Sequence, residues 1–203
     1  GKTWPNPMVG CVIVQDGEII AEGWHAKAGL AHGELDAIQN ATRSVQGATL
    51  YVNLEPCCHS NKRTPPCAQR LIAEGISTVV IANIDPNPEV SGKGIAVLRE
   101  AGIKVITDVL AEQGELLNEV FFHNQRSQRP FVHLKIASTL DGKIAMNNGQ
   151  SQWITGEPAR MHAHQLRAEH MAIAIGAHTL RTDNPKLTVR LPEFTGAQPM
   201  RIV

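Results

Sequence analysis

Apolar runs and turn signals alternate along the first part of the chain and predict the first secondary-structure elements. Val9–Val14 and Glu18–Glu22 are apolar runs separated by Asp16-Gly17, which is a strong signal for a β-hairpin. From Glu34 to Ala41 the apolar positions recur at helical spacing. The chain is therefore predicted to start as a hairpin that leads into a helix.

The same alternation continues through the next seventy residues or so. Further strands are predicted at Thr49–Leu54, Thr78–Ile84 and Lys104–Val109, and helices at Cys67–Glu74 and Gly94–Ala101. A glycine follows each of these two helices, as is common at helix carboxyl ends. Alternating helices and strands predict an α/β fold with a mainly parallel sheet and helices on its faces.

A domain boundary is predicted near residue 130. An amphipathic helix between Glu112 and Gln128 ends in a polar run before Pro130, which suggests domains at 1–129 and 130–203. A second strand-first pattern then follows, with a strand at Phe131–Ser138, a turn at Asp141-Gly142, a helix at Glu157–Glu169 and a strand at Met171–Ile175. We expect an N-terminal helix of the first domain to precede residue 1, and the second α/β domain to continue past residue 203.

Composition narrows the classes of function. The 19 basic and 19 acidic residues give a net charge of zero. The chain therefore lacks the excess of positive charge that is typical of a protein that binds a nucleic-acid backbone. A small-molecule substrate is favoured. The chain has 4 cysteines, and their placement is more typical of metal ligands or free thiols than of a disulfide framework, which points to a cytoplasmic location. No apolar run approaches the roughly 18 residues of a membrane span.

The most specific chemical signal is a three-part pattern of histidine, carboxylate and thiols. His32-Gly33-Glu34 is followed by Glu55-Pro56-Cys57 and, after a further 10 residues, by Cys67. One imidazole and two thiolates with an open fourth position form a catalytic zinc site, and the nearby carboxylate serves as a proton carrier rather than a ligand. Zinc is the implied ion, with His32, Cys57 and Cys67 as ligands.

The order of these residues restricts where they lie on the predicted elements. Residues two apart on a helix point to nearly opposite sides, so His32 and Glu34 share a site only at the mouth of a helix. Cys57 follows a strand and Cys67 opens a helix, where the helix dipole favours a thiolate. Cys58 is an alternative ligand because it adjoins Cys57, although Cys57 directly follows Glu-Pro as the pattern requires.

This residue set suits hydrolytic deamination. Zinc lowers the pKa of a bound water towards about 7, and a carboxylate then carries a proton from that water to a ring nitrogen and to departing ammonia. Glu34 is the predicted catalytic carboxylate. Two alternatives remain: a nucleoside or tRNA-type zinc deaminase, and a non-catalytic module that zinc merely staples.

Several motifs of the first domain resemble the deaminase half of the bifunctional riboflavin-biosynthesis deaminase/reductase family. They are Pro5-Asn6-Pro7-Met8-Val9-Gly10-Cys11-Val12, the His-x-Glu pair, Leu54-Glu55-Pro56-Cys57, Thr64-Pro65-Pro66-Cys67 and Asp85-Pro86-Asn87-Pro88. Nucleic-acid and nucleoside deaminases generally have Pro-Cys-x-x-Cys, whereas the longer loop is typical of this family. The resemblance implies a cytidine-deaminase-like domain with a mixed sheet and helices on both faces.

The family resemblance also implies a pocket for a pyrimidine and its ribose phosphate. Its binding roles would fall on Asn6, His25, His59 and Asp85, with Lys62 or Arg63 as a further substrate contact. Two departures stand out: Gly33 replaces the usual Ala, which should loosen the helix start, and the loop at 59–63 is one residue longer than usual.

The resemblance continues beyond the predicted boundary into the reductase half of the family. It is carried by Lys135–Lys143, by Ser151-Gln152-Trp153-Ile154-Thr155 and by Asp183-Asn184-Pro185-Lys186-Leu187-Thr188-Val189-Arg190. It implies the first part of a dihydrofolate-reductase-like α/β domain that uses NADP(H). The implied cofactor-binding residues are Ala137, Trp153, Thr179 and Asp183. The implied substrate-binding residues are Ser151, Arg167, Leu187 and Arg190. The guanidinium groups of the two arginines suit a phosphate.

No G-x-G-x-x-G fingerprint occurs in the chain, so the reductase assignment depends on the resemblance. The family's glycine-rich cofactor loop is expected after Val203. The implied function is deamination of a diaminopyrimidine ribosyl phosphate, followed by NADPH-dependent reduction of its ribosyl group to ribityl. We expect this small molecule as the partner, with no nucleic acid and no membrane, and a homo-oligomeric enzyme.

Overall fold

A computed structural model of the chain describes residues 3–58, 66–127 and 129–203. The chain divides into two compact units, a first unit of residues 2–131 and a second unit of residues 132–203. The first unit begins with the predicted hairpin, in which β1 (Gly10–Gln15) pairs antiparallel with β2 (Glu18–Trp24). Asp16 and Gly17 have φ values of 53° and 81°, the left-handed conformation that a two-residue hairpin turn requires.

The hairpin joins three further strands in one sheet. β3 (Thr49–Leu54), β4 (Thr78–Asn83) and β5 (Lys104–Ile106) complete the order β2-β1-β3-β4-β5. β3, β4 and β5 pair in parallel, but β1 is antiparallel to both of its neighbours. The sheet described is therefore mixed, as the resemblance implied: β1 runs against the other four strands, which share one direction. The alternation of helices and strands predicted the parallel part, but it does not reveal that the hairpin enters the sheet through β1.

Three helices pack on one face of this sheet: α1 (Gly33–Gln39), α2 (Cys67–Ala73) and α3 (Lys93–Glu100). Their apolar side chains meet the alternate positions of the strands in the main core of the first unit, which removes apolar surface from water. The core includes Cys11, Ile13, Ala37, Leu50, Val52, Ala68, Leu71, Val79, Ile81, Ile95 and Leu98. Gly75 and Gly102, with φ values of 73° and 83°, follow α2 and α3 as predicted.

The amphipathic segment predicted as one helix forms two. α4 (Ala111–Leu117) and α5 (Glu119–Arg126) meet at Asn118, whose φ of −114° interrupts the helical path. α4 approaches β4 closely, because a Cβ on Gly114 would lie 2.1 Å from the Asn83 side-chain oxygen. β5 also ends earlier than predicted, since Asp108 takes a left-handed φ of 65° that turns the chain towards α4.

The second unit is a smaller α/β arrangement. It contains α6 (Glu157–Glu169), β6 (Ala172–Ala174), α7 (Ala177–Asp183) and β7 (Met200–Ile202), and β6 pairs in parallel with β7. The helix at Glu157–Glu169 has its predicted bounds. In the turn at Asp141-Gly142, Gly142 has a φ of 78° and the Thr139 amide donates to the Lys143 carbonyl at 2.8 Å.

The strand predicted at Phe131–Ser138 does not form. No neighbouring strand in the described part of the chain pairs with this segment, and its apolar side chains are largely exposed, with Leu134 at 78%. A β-prone run becomes a strand only when another strand satisfies its backbone groups. Of the helices described in either unit, none is both long and apolar enough to span a bilayer.

Candidate metal centre and catalytic pocket

The three predicted metal ligands come together at the ends of three elements of the first unit. His32 caps the amino end of α1, Cys57 follows β3, and Cys67 is the first residue of α2. The Nδ1 atom of His32 lies 3.6 Å from the Cys57 sulfur and 3.3 Å from the Cys67 sulfur. All three possible ligand atoms lie within 4.8 Å of one another, a spacing that one metal ion can bridge.

The surroundings of the two sulfurs favour negative charge on Cys57. The pKa of Cys57 is lowered to about 3, first by the hydrogen bond from the Cys67 thiol and then by His32 and the Cys67 backbone amide, against the opposing effect of burial. That amide, at the amino end of α2, donates to the Cys57 sulfur at 3.5 Å. The pKa of Cys67 is raised by its bond to Cys57, by burial and by Glu34. A cation bound between them is what would allow both sulfurs to ionise.

Cys58, the alternative ligand, is outside this group. The described residues that could share one ion are His32, Cys57 and Cys67. Cys58 is half-buried, and burial raises the pKa of its thiol, which disfavours the thiolate that a metal requires.

Glu34 lies beside the ligand cluster in the first turn of α1, at the helix mouth where the sequence requires it. Its side chain is 3% exposed, and its Oε2 atom has no hydrogen-bond partner among the residues that the structure describes. Burial raises the pKa of this carboxyl, and the charge of Cys57 adds to the effect. A buried carboxylate oxygen without a partner, next to a His-Cys-Cys donor set, fits a site that receives a metal-activated water.

A cavity of about 240 Å³ opens over the cluster. Three predicted substrate residues, Asn6, His25 and Asp85, line it together with His32 and Glu34. The Nδ1 of His25 lies 2.8 Å from the Ala31 carbonyl oxygen, so this nitrogen carries the proton. The Nε2 atom of His25 then accepts a hydrogen bond from the side-chain amide of Asn6, at a distance of 3.0 Å.

Glu55 is a site residue for which sequence reasoning gave no role. Its carboxylate is buried and accepts backbone N–H bonds from Ile95 at 3.2 Å, from Gly92 at 2.9 Å and from Asp85 at 3.2 Å. Gly92 and Ile95 belong to the start of α3, so Glu55 caps that helix from a distance and holds the loop of Asp85. Its position between a strand and the Pro-Cys ligand pair indicates a residue near the site. Its capping role could not be predicted, because the hydrogen-bond partners lie 30 to 40 residues away in the sequence.

Two further lining residues come from α5. Phe121 and Gln125 are four residues apart on one face of this helix and both line the cavity. The sequence assigned this segment only to an amphipathic helix before the domain boundary. The predicted substrate contact His59 and the two alternatives for a further contact, Lys62 and Arg63, lie outside the described residues.

In the second unit the structure brings the two predicted arginines together. Arg167 on α6 donates to the Thr188 carbonyl at 2.8 Å, and Arg190 donates to the same oxygen at 3.3 Å. Leu187 precedes Thr188 and is buried. His164 belongs to the same group, because its Nδ1 atom accepts a hydrogen bond from the backbone amide of Arg190 at 3.3 Å. Sequence reasoning assigned no role to this histidine. Burial and the two arginines lower the pKa of His164.

The remaining residues predicted for the second unit are more dispersed. Trp153 is 69% exposed, with the Arg160 guanidinium 4.6 Å from its ring centre. Thr179 and Asp183 are exposed and four residues apart on α7, while Ala137 and Ser151 are half-buried. The structure describes no contact that gathers Ala137, Trp153, Thr179 and Asp183 into one site.

The sheet order, the helix-mouth histidine and the two thiols define the first unit as a cytidine-deaminase-like domain. Residues 1–83 match the family model of the cytidine and deoxycytidylate deaminase zinc-binding region, and residues 130–203 match the RibD C-terminal domain. Over its whole length the chain belongs to the RibD family of riboflavin-biosynthesis proteins.

Relatives and solved structures support this assignment. The chain is 50% identical over 203 residues to the riboflavin biosynthesis protein RibD of Actinobacillus pleuropneumoniae, covering 100% of this chain and 53% of the relative. With RibD of Escherichia coli it shares 46% identity over 212 residues, covering 99% and 58%. A Thermotoga maritima diaminohydroxyphosphoribosylaminopyrimidine deaminase/5-amino-6-(5-phosphoribosylamino)uracil reductase superposes with a TM-score of 0.89 at 49% identity, covering 97% and 56%. The chain thus spans about half the length of these relatives.

Proposed function

We propose that the first unit is a zinc-dependent deaminase that converts a diaminopyrimidine ribosyl phosphate to its uracil counterpart with release of ammonia. One observation carries this proposal: a His-Cys-Cys donor set lies in the same cavity as a buried carboxylate whose Oε2 has no described partner. A purely structural zinc site would have no use for such a carboxylate, because burying a carboxylate oxygen that has no hydrogen-bond partner costs stability.

His32, Cys57 and Cys67 would hold the zinc ion, which when bound supplies a Lewis acid that makes water nucleophilic near neutral pH. Glu34 takes a proton from the attacking water and delivers it to the ring nitrogen next to the reacting carbon. The water oxygen bonds to that carbon, and the carbon–nitrogen bond to the amino group breaks. Glu34 then takes the second proton, from the new hydroxyl group on that carbon, and passes it to the departing amino group, so that ammonia leaves and a carbonyl remains.

Other residues of the cavity orient the substrate. Asn6 is held by the acceptor nitrogen of His25, so its side chain is fixed before substrate binds. Asp85 is buried, and its Oδ1 accepts the Asn87 amide at 2.8 Å within the loop that Glu55 holds. We assign substrate contacts to Asn6, His25 and Asp85, with His59 as a further contact outside the described residues.

For the second unit we propose the front part of an NADP-dependent reductase that reduces the ribosyl group to ribityl, with domains at 1–129 and 130–203. Arg167 and Arg190 share one carbonyl oxygen, which supports a phosphate site because two adjacent guanidinium groups attract an anion. Ser151 and Leu187 complete the assigned substrate set. We assign Ala137, Trp153, Thr179 and Asp183 to the cofactor on the strength of the family match.

The deciding experiment is incubation of the zinc-loaded chain with the diaminopyrimidine ribosyl phosphate, with and without NADPH, followed by ammonia and product analysis. We expect ammonia release in both cases. A chain that binds zinc but releases no ammonia would refute the deaminase proposal. Cytidine, deoxycytidylate and single-stranded oligonucleotides are the comparison substrates, and preference for any of them would favour a nucleoside or nucleic-acid deaminase instead.

A further inference from the structure

Asn118 stands at the break between α4 and α5 and is 4% exposed. Its side chain bonds to the backbone of Met8, which is 110 residues away in the sequence. The Met8 amide donates to Asn118 Oδ1 at 2.8 Å, and Asn118 Nδ2 donates to the Met8 carbonyl at 2.9 Å. One side-chain amide therefore satisfies both backbone groups of Met8, as a neighbouring strand would.

A second asparagine holds the same segment from the sheet. Asn53 on β3 donates to the Met8 carbonyl at 2.8 Å and accepts the Gly10 amide at 2.8 Å. Met8 is thus fixed on both sides, by the sheet through Asn53 and by the helix junction through Asn118. The Oδ1 atom of Asn118 is the only acceptor described for the Met8 amide.

Met8 directly follows the Pro5-Asn6-Pro7 turn, whose three residues all line the catalytic cavity. Neither proline has a backbone N–H, so the turn has few hydrogen bonds of its own. The Asn6 backbone amide donates to the Thr3 carbonyl at 2.9 Å, and the Asn6 side chain contacts His25 at 3.0 Å. The attachment at Met8 holds the backbone of the turn on its carboxyl side. Asn118 is also the N-cap residue of α5, which supplies Phe121 to the same cavity.

We propose that Asn118 is a positioning residue of the deaminase pocket, which acts on substrate binding by fixing the Asn6 turn through the backbone of Met8. The inference deepens the proposed function and rests on it. Asn118 does not touch the metal ligands, which stand on α1, α2 and the end of β3. Its removal should therefore weaken substrate binding without removing zinc.

The test uses Asn118→Leu, which keeps the size of the side chain and removes both bonds. Asn124→Leu is the matched control, because Asn124 is an exposed residue of α5. We expect Asn118→Leu to raise the KM of ammonia release about tenfold, which corresponds to one lost net interaction. The kcat should stay within threefold and zinc content should match the parent, and Asn124→Leu should alter none of these values.

A double-mutant cycle tests whether the effect passes through Asn6. In an Asn6→Ala background, Asn118→Leu should raise KM less than threefold, because the turn no longer carries a substrate contact. A KM for Asn118→Leu within twofold of the parent would overturn the inference. So would a full tenfold effect that persists in the Asn6→Ala background, or a loss of zinc in parallel with the loss of binding.

Hydrogen exchange separates this inference from the proposed function. The Met8 amide should exchange faster in Asn118→Leu than in the parent or in Asn124→Leu, a comparison that needs no substrate. If the parent releases no ammonia, the proposed function fails, yet the exchange rate still decides whether Asn118 holds the turn. An unchanged rate would overturn the positioning role.

Discussion

The two units differ in how far the packing around each proposed site organises its polar groups. In the first unit a large core lies beneath the metal ligands, and Glu34, Glu55 and Asp85 are buried with it. In the second unit the described hydrogen bonds of the two arginine side chains converge on a single backbone carbonyl oxygen. The comparison shows that the spacing of residues in the sequence can identify the charged groups of a site. Their fixed orientation depends on the apolar side chains that pack beneath them.

The largest effect should follow removal of a metal ligand. Cys67→Ser should reduce bound zinc from about one ion per chain to nearly none, because the remaining donors cannot complete a three-ligand site. Metal analysis after dialysis measures this. Cys58→Ser is the matched control and should retain full zinc. Full occupancy in Cys67→Ser, or loss of zinc in Cys58→Ser, would show that the ligand set is wrong.

The next effect concerns proton transfer. Glu34→Gln keeps the shape of the buried side chain but cannot carry a proton, so ammonia release should fall by about a hundredfold or more. Zinc content and the unfolding midpoint should remain near those of the parent. Glu100→Gln, a change of an exposed glutamate on α3, should be active. Activity of Glu34→Gln within a few fold of the parent would remove Glu34 from the mechanism.

A smaller effect is expected at the arginine pair, and it tests whether the second unit has its own site. In a chain that carries the whole reductase domain, Arg190→Ala should raise the substrate KM of the NADPH-dependent step by an amount equivalent to about 1.5 to 3 kcal/mol. The deamination step should barely change. Arg181→Ala, at an exposed position of α7, provides the control. Equal losses in both steps would mean one shared site.

The smallest of these effects is on stability. Glu55→Gln places an amide NH₂ group against backbone N–H donors in the cap of α3, and should lower the free energy of unfolding by about 1 to 3 kcal/mol. Urea unfolding measures this difference. Glu100→Gln again serves as the control. A stability equal to that of the parent would mean that the hydrogen bonds of Glu55 contribute little.

Local signals predicted much of the first unit. Asp16-Gly17 predicted the hairpin, the glycines after α2 and α3 predicted their ends, and the chemistry of His32, Cys57 and Cys67 predicted a cluster that the structure brings together. The break at Asn118 was not predictable, because the two hydrogen bonds that fix Asn118 at this junction reach Met8 across 110 residues. The failed strand at 131–138 has the complementary cause, since local β-propensity cannot supply a pairing partner.

The close approach of Gly94 to the ligand loop has a consequence for motion. A Cβ at this position would lie 2.1 Å from the Pro56 carbonyl oxygen, so α3 rests directly against the backbone next to Cys57. Glu55, from the same loop, is bonded to the start of that helix. Because the loop and α3 are packed and bonded together, a displacement of the Cys57 backbone requires α3 to shift as well.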